Sequence, residues 1–194
     1  MTRIVLASQS PARLQTLRNA GIEPQVIVSG VDESQLDGLA PRELALGLAE
    51  LKALAVAPRV PDAVVIGCDS VLEFEGAPLG KPTDAADAIA RWQRMRGRSG
   101  VLVTGHAVVR GEQLISASAE TTVHFADVSD EEIEAYVATG EPLHVAGAFT
   151  VDSLGGPFVT SIEGDYHNVV GISLPLLREL LGQLGIRWTD LWRR

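Results

Sequence analysis

Cysteine, positive charge and long apolar runs are all scarce in this chain of 194 residues. The single cysteine, Cys68, excludes an internal disulfide framework and suits a reducing compartment. No apolar run approaches the roughly 18 residues that a membrane span needs, and the amino terminus has too short an apolar stretch for a signal peptide. These absences predict a cytoplasmic protein that has no membrane partner.

Cations are fewer than anions, with 16 Lys and Arg against 25 Asp and Glu, and the formal net charge is −9. A chain this acidic is poorly suited to DNA or RNA, because nucleic-acid binding depends on contacts between cations and phosphates. We therefore expect no nucleic-acid partner. An anionic substrate would need a few local cations to act against the negative background.

Several common site motifs are also missing. The chain has no GxGxxG after a strand, no GxxxxGK[ST] and no GxSxG, which argues against dinucleotide, P-loop and serine-hydrolase sites. Its four histidines show no HxH or HExxH spacing, and one cysteine makes a structural zinc site a poor candidate. If a metal takes part, we expect Asp and Glu oxygens to hold magnesium or manganese.

Apolar patterning and turn residues predict alternating strands and helices. Strands are expected at 3–7, 24–29, 63–68, 101–110 and 114–126. Helices are expected at 11–20, 41–57, from a Thr83 cap to about 96, from a capping box at 129–132 to Gly140, and at 174–184. EFEGAPLGKP is predicted to be a small hairpin or loop, and GDYHN a loop. The pattern predicts a single α/β domain over 1–194 with a mixed sheet.

The stretch LASQSPARLQTL is the first candidate for chemistry. Ser10 is a natural N-cap and Pro11 suits the first helical position, but Arg13 places a cation at the positive end of the helix. An anion nearby would correct the sign, so Ser8, Ser10, the helix amino end and Arg13 form a candidate phosphate cradle. The alternative is a capped helix with a surface arginine.

A carboxylate and two lysines are the other candidates. Asp69 directly follows an apolar strand, and ligands of open α/β sheets bind beyond the carboxyl ends of strands; the alternative is a turn-forming aspartate. Cys68 beside it is expected to be a buried packing residue. Lys52 lies on a helix that is apolar nearly all round and needs a solvent window or an anionic partner. Lys81 stands between glycine and proline, and each lysine could instead be merely solvated.

Taken together, these residues resemble the Maf family. The family motif S-x-S-P-R-R matches positions 8–13, and the family motif I-E-G-D-Y-x-N-V-V-G matches positions 162–171. The D-E pair of the family falls on Asp32 and Glu33, its helical lysine on Lys52 and its catalytic acid on Asp69. Its LGKP motif falls on 79–82, and the acid of its E-T-x-V-x-F motif falls on Glu120. The chain departs from the family at Ala12, Ser70, His144, Val145 and Asp152. The departures put the preferred base in doubt and leave the reaction class intact.

The resemblance implies hydrolysis of nucleoside triphosphates to the monophosphate and pyrophosphate, with Mg²⁺ or Mn²⁺ as cofactor. It also implies an elongated fold shared with inosine-triphosphate pyrophosphatases, two lobes around a cleft, and a homodimer. Ser8, Ser10, Arg13, Lys52 and Lys81 would bind the substrate. Glu33 and Asp69 would hold the metal and the attacking water, whose proton Asp69 would accept.

Two other functions remain open at this point. A nucleotide-binding regulator of cell division that does not turn substrate over would have the same phosphate cradle. It would have no need of Asp69 and Glu33, because carboxylates beside a polyanion repel it. A phosphatase that releases orthophosphate is a weaker alternative.

Overall fold

The computed structural model describes residues 2–192, which form a seven-stranded mixed sheet with flanking helices. The strands are β1 Arg3–Leu6, β2 Gln25–Val26, β3 Ala63–Phe74, β4 Ala77–Leu79, β5 Ser99–Arg110, β6 Gln113–Phe125 and β7 Val159–Glu163. The α-helices are α1 Pro11–Asn19, α2 Pro41–Val56, α3 Ala85–Met95, α4 Asp130–Ala138, α5 Tyr166–Val170 and α6 Leu174–Gln183. In this part of the chain, no helix combines the length and apolar composition that crossing a bilayer requires.

The strand order is β2-β1-β3-β5-β6-β7, and β4 pairs with β3. β1 is parallel to β2 and β3, while all other neighbours are antiparallel. β5 and β6 form the long hairpin that the sequence predicts, and the predicted mixed α/β class is confirmed.

The sheet carries separate hydrophobic cores towards its two ends. Around β1 and the first half of β3, α1 and α6 cover one face through residues such as Leu17, Leu177 and Leu180, and α2 covers the other through Ala49 and Ala53. A second core, which includes Trp92 and Ile133, joins the second half of β3 to α3 and α4. The two cores define the two lobes that the resemblance implies.

Two glycines let α2 lie very close to the sheet. A Cβ atom at Gly67 of β3 would stand 2.2 Å from the carbonyl oxygen of Ala49, and one at Gly105 of β5 would stand 2.1 Å from that of Ala45. No larger residue fits at either position without moving backbone. The close approach places Lys52, one helical turn after Ala49, over β3.

β3 lacks a strand partner along the middle of one edge. β5 pairs along its other edge, while β1 covers only 63–66 and β4 only 72–74. Residues 67–71 therefore border a gap between the end of β1 and the start of the β4 pairing. This gap lies outside the carboxyl end of β1, where open α/β sheets bind ligands.

Four predicted elements differ from the structure. β2 has two residues, so the predicted strand at 24–29 is too long. β3 continues to Phe74, because pairing with β5 and β4 extends it past the apolar run. The N-cap of α3 is Asp84 rather than Thr83, since the Asp84 side chain accepts a hydrogen bond from the Asp87 N–H. The predicted GDYHN loop contains the start of α5, capped by Asp165.

Candidate active site

The chain leaves β1 and enters α1 through a serine-capped turn. Ser10 is the N-cap, and its Oγ accepts a hydrogen bond from the Arg13 N–H at 3.4 Å. The Ser10 N–H donates in turn to Ser8 Oγ at 3.2 Å. Pro11 occupies the first turn, where no N–H is needed. The predicted capped helix start is confirmed, and it borders the gap in the sheet.

The Arg13 side chain is buried, with 9% of the residue exposed. Its Nε donates to the Gly171 carbonyl at 2.7 Å, its Nη1 to Ser8 Oγ at 3.0 Å and the Cys68 carbonyl at 3.1 Å, and its Nη2 to Ser70 Oγ at 2.9 Å. The interpretation as a surface arginine is therefore wrong. Four of the five guanidinium N–H groups are fixed by the protein.

Arg13 takes the place of the missing strand in the gap. The last backbone hydrogen bond along this edge of β3 runs from the Ala7 N–H to the Ile66 carbonyl. The next carbonyl of β3 that faces this edge, that of Cys68, accepts a hydrogen bond from Arg13 instead. All four acceptors around Arg13 are neutral, and no carboxylate of residues 2–192 pairs with it. Burying an unpaired charge is costly, so this position favours an anion as its partner.

A buried polar layer lies behind Arg13 on the same face of the sheet. Ser70 Oγ and Thr104 Oγ1 are 2.8 Å apart, and Thr104 Oγ1 donates to the Asn168 carbonyl at 3.4 Å. His106 Nδ1 lies 3.0 Å from the Thr104 carbonyl, and its Nε2 accepts the Ser173 N–H at 2.8 Å. The layer ties β5 to the segment that supplies the Gly171 carbonyl.

His106 is neutral in this layer. Burial, reinforced by the Arg13 charge, lowers its pKa to about 4. The hydrogen bonds agree, because Nε2 can accept from Ser173 only when it carries no proton. Sequence reasoning missed this layer, although Thr104 and His106 alternate on one face of an otherwise apolar strand, a period-two signal that was available.

Lys52 has the anionic partners that its apolar helix requires. Its Nζ lies 2.5 Å from Asp69 Oδ1 and 2.7 Å from Glu33 Oε1. The side chains of Lys52 and Asp69 are largely buried, 12% and 13% exposed, whereas that of Glu33 is 55% exposed. Asp69 lies inside β3 rather than at its end, so both its predicted position at the strand's carboxyl end and its interpretation as a turn residue are wrong.

Asp32 positions Glu33 at the start of a short 3-10 helix, Glu33–Leu36. Asp32 Oδ1 accepts hydrogen bonds from the N–H of Ser34 at 3.1 Å and from its hydroxyl at 2.6 Å. These bonds lower the pKa of Asp32, because they favour its charged form. The acidic pair thus divides its tasks, since Asp32 caps the turn and Glu33 contacts Lys52.

Lys81 is not brought into contact with the other candidates. It is exposed and has no hydrogen-bond or ion-pair partner among residues 2–192. The Gly80 carbonyl beside it accepts from Arg91 Nη1 at 2.8 Å and from the Gly147 N–H at 3.1 Å, which fixes the loop. β4 runs antiparallel to β3 with Leu79 opposite Leu72, so the chain beyond Leu79 runs towards the gap.

Metal-ligating side chains do not form a complete site by themselves in the described chain. Over residues 2–192, no cluster of three His, Cys, Asp or Glu side chains is placed to hold a metal. Glu33 and Asp69 are brought together, but Lys52 stands between them. Cys68 is fully buried and burial raises its pKa to about 12, which confirms the expected packing role.

Comparison with known proteins identifies the family of this fold and site. The model of the Maf-like protein family matches residues 3–184, and the chain belongs to this family. A nucleoside triphosphate pyrophosphatase from Salinispora tropica is 62% identical over 199 residues, covering 99% of this chain and 88% of that protein. Another from Streptomyces avermitilis is 59% identical, covering 98% and 94%. The solved Staphylococcus aureus Ham1 protein overlaps 97% of this chain and 93% of its own, with 16% identity and a TM-score of 0.48.

Proposed function

We propose that this protein hydrolyses nucleoside triphosphates to nucleoside monophosphates and pyrophosphate. The observation that carries the proposal is the pairing of two unlike groups beside one gap in the sheet. The buried guanidinium of Arg13, which has no anionic partner among residues 2–192, lies on one side of β3, and the Lys52–Asp69–Glu33 cluster lies on the other. The relatives named nucleoside triphosphate pyrophosphatase support the substrate class.

Substrate binding is assigned to the α1 side of the gap. Arg13 is held in place before substrate arrives, so little side-chain entropy is lost when it meets a phosphate oxygen. Ser8, Ser10 and the first turn of α1 add hydroxyl and N–H groups together with the positive end of the helix dipole. Lys81, exposed at the far side of the gap, adds a cation that can reach the same anion.

Proton transfer is assigned to Asp69. Its Oδ1 accepts from Lys52, whereas Oδ2 has no hydrogen-bond partner in the described chain and remains able to orient a water molecule. The water loses a proton as it attacks phosphorus, and a carboxylate placed beside it accepts that proton. Lys52 has a third N–H for the developing negative charge on the phosphoryl group.

Glu33 and Asp69 fit a Mg²⁺ or Mn²⁺ cofactor. Oxygens of both carboxylates converge on one point, since each lies within 2.7 Å of the same ammonium. Magnesium is commonly held by one or two carboxylates together with substrate phosphates and waters. When bound, such a cation neutralises phosphate charge and polarises the phosphoryl group.

Product analysis tests the proposal. Purified protein is incubated with Mg²⁺ or Mn²⁺ and a panel of nucleoside triphosphates, and the products are separated by ion-exchange chromatography. We expect equal amounts of monophosphate and pyrophosphate, formed at least about a hundredfold more slowly by an Asp69→Asn sample. Diphosphate with orthophosphate would indicate a phosphatase, and binding without any product would indicate a nucleotide-binding regulator; either result contradicts the proposal. The cytoplasmic location and the homodimer remain predictions beside it.

A further inference from the structure

The cluster on the α2 side of β3 is already balanced by a cation of the protein. The Lys52 ammonium lies between the two carboxylates, 2.5 Å from Asp69 Oδ1 and 2.7 Å from Glu33 Oε1. Lys52 extends from a helix packed tightly against Gly67, and its side chain is only 12% exposed. The two carboxylates therefore have a fixed, partly buried positive charge at the point where their oxygens converge.

A divalent cation that used both carboxylates would have to compete with this ammonium. Cation and ammonium would share the same acceptor oxygens, and two positive charges a few ångströms apart repel each other strongly in a partly buried site. Two carboxylates and one ammonium leave a single net negative charge, which is a weak attraction for Mg²⁺. The competition ends only when Lys52 finds another anion.

We infer that Lys52 is an internal counter-ion which keeps Glu33 and Asp69 from binding a divalent cation until a triphosphate draws its ammonium away. The inference rests on the metal assignment in the proposed function. Nucleotide and metal then bind cooperatively, because each removes an obstacle to the other. Lys52 sets the order of assembly, in addition to stabilising phosphate charge.

The test is to titrate Mn²⁺ alone into nucleotide-free protein and to measure the binding affinity by isothermal titration calorimetry. Lys52→Met removes the ammonium while keeping the length of the side chain, and we expect it to bind Mn²⁺ at least about tenfold more tightly than the wild type. Lys52→Arg keeps the charge and should bind as weakly as the wild type. Arg42→Met removes a positive charge from the same helix at an exposed position paired with Glu120, and should leave the affinity within about twofold because exposed charges are screened. Equal or weaker Mn²⁺ binding by Lys52→Met would overturn the inference.

A second measurement needs no variant. Lys52 and Lys81 are the only lysines of the chain, so ¹⁵N-lysine NMR of the wild type gives two side-chain signals. We expect the Lys52 signal to move when a non-hydrolysable triphosphate analogue is added, and to move when Mg²⁺ binds. Stoichiometric Mg²⁺ binding that leaves the Lys52 signal in place would contradict the competition. Neither measurement depends on turnover. A protein that releases no pyrophosphate can therefore still give the results that the inference predicts, so the inference and the proposed function are tested separately.

Discussion

The two faces of β3 each carry a buried cation, but the cations differ in whether a carboxylate is paired with them. On the α1 face, Arg13 is buried among neutral acceptors and has no carboxylate partner within residues 2–192. On the α2 face, Lys52 contacts two carboxylates at once. Both cations are largely buried, and both lie beside the gap between β1 and β4.

This difference assigns separate tasks to the two faces. An unpaired buried cation is costly and gains most from an incoming anion, so Arg13 is suited to holding a phosphate that does not change during the reaction. A paired cation beside a carboxylate with a free oxygen is suited to the step in which protons and charge move. We therefore expect the α1 face to control binding and the α2 face to control turnover.

The largest expected effect is that of Asp69→Asn. Asparagine keeps the shape but cannot accept a proton, so kcat should fall by about 10² to 10⁴-fold, the range of general-base effects. Steady-state kinetics on folded protein measure the change. Asp62→Asn, in the exposed turn just before β3, serves as the control and should have normal turnover. Near-normal kcat in Asp69→Asn would remove this carboxylate from the mechanism.

Lys52→Ala should lower kcat/KM by roughly 10²-fold, since it removes a donor aimed at charge that develops in the transition state. The loss should fall mainly on kcat, because Arg13 still holds the substrate. Arg42→Ala on the same helix is the control for loss of charge, and thermal unfolding checks the fold of both variants. If Lys52→Ala raised KM alone, the proposed division between the two faces would fail.

His106, on the α1 face, makes the free energy of unfolding depend on pH. The folded protein keeps His106 neutral to about pH 4, whereas the unfolded chain protonates it below about 6.5. The unfolded state therefore binds more protons between these values, and the free energy of unfolding should fall by about 3 kcal/mol as the pH drops from 6.5 to 4. Below pH 4 both states are protonated and the loss stops.

Urea unfolding across this pH range measures the effect. His106→Gln can still donate to Thr104 and accept from Ser173, but it does not titrate, so the slope between pH 6.5 and 4 should flatten. A slope that persists in His106→Gln would show that other groups cause it.

The smallest effect is expected at Lys81. It is exposed and without a partner in the described chain, so Lys81→Ala should lower kcat/KM only about fivefold, as is typical of exposed charge pairs. The effect should shrink as salt is added, because screening shortens the reach of an exposed charge. A loss of more than a hundredfold that salt does not reduce would mean that Lys81 is buried against the substrate.

Much of the fold could be predicted from the sequence because local signals agree with the tertiary structure. α2, the β5–β6 hairpin and the Ser129 capping box lie where apolar periodicity, a tight turn and the S-x-x-E pattern place them. The wrong-signed cation at the start of α1 indicated that Arg13 is not an ordinary surface residue, and Arg13 is indeed buried; its binding of phosphate remains a prediction.

The rest depended on long-range pairing. Asp69 and Ser70 read as the end of a strand, but hydrogen bonds to β5 and β4 carry β3 through them to Phe74. The partners of Arg13 lie up to 158 positions away, at Gly171, and no local pattern could reveal them. The contact between Glu33 and Lys52 likewise joins two separate segments, the 3-10 helix Glu33–Leu36 and α2.

Titration of a non-hydrolysable triphosphate analogue into folded Arg13→Lys and Asp69→Asn samples tests the division between the faces most directly. Lysine keeps the charge of Arg13 but cannot reproduce its planar fork, so binding should weaken at least about tenfold. Asp69→Asn should bind as well as the wild type or more tightly, because a repulsive negative charge is lost. The opposite pattern, with full binding in Arg13→Lys and lost binding in Asp69→Asn, would contradict the account.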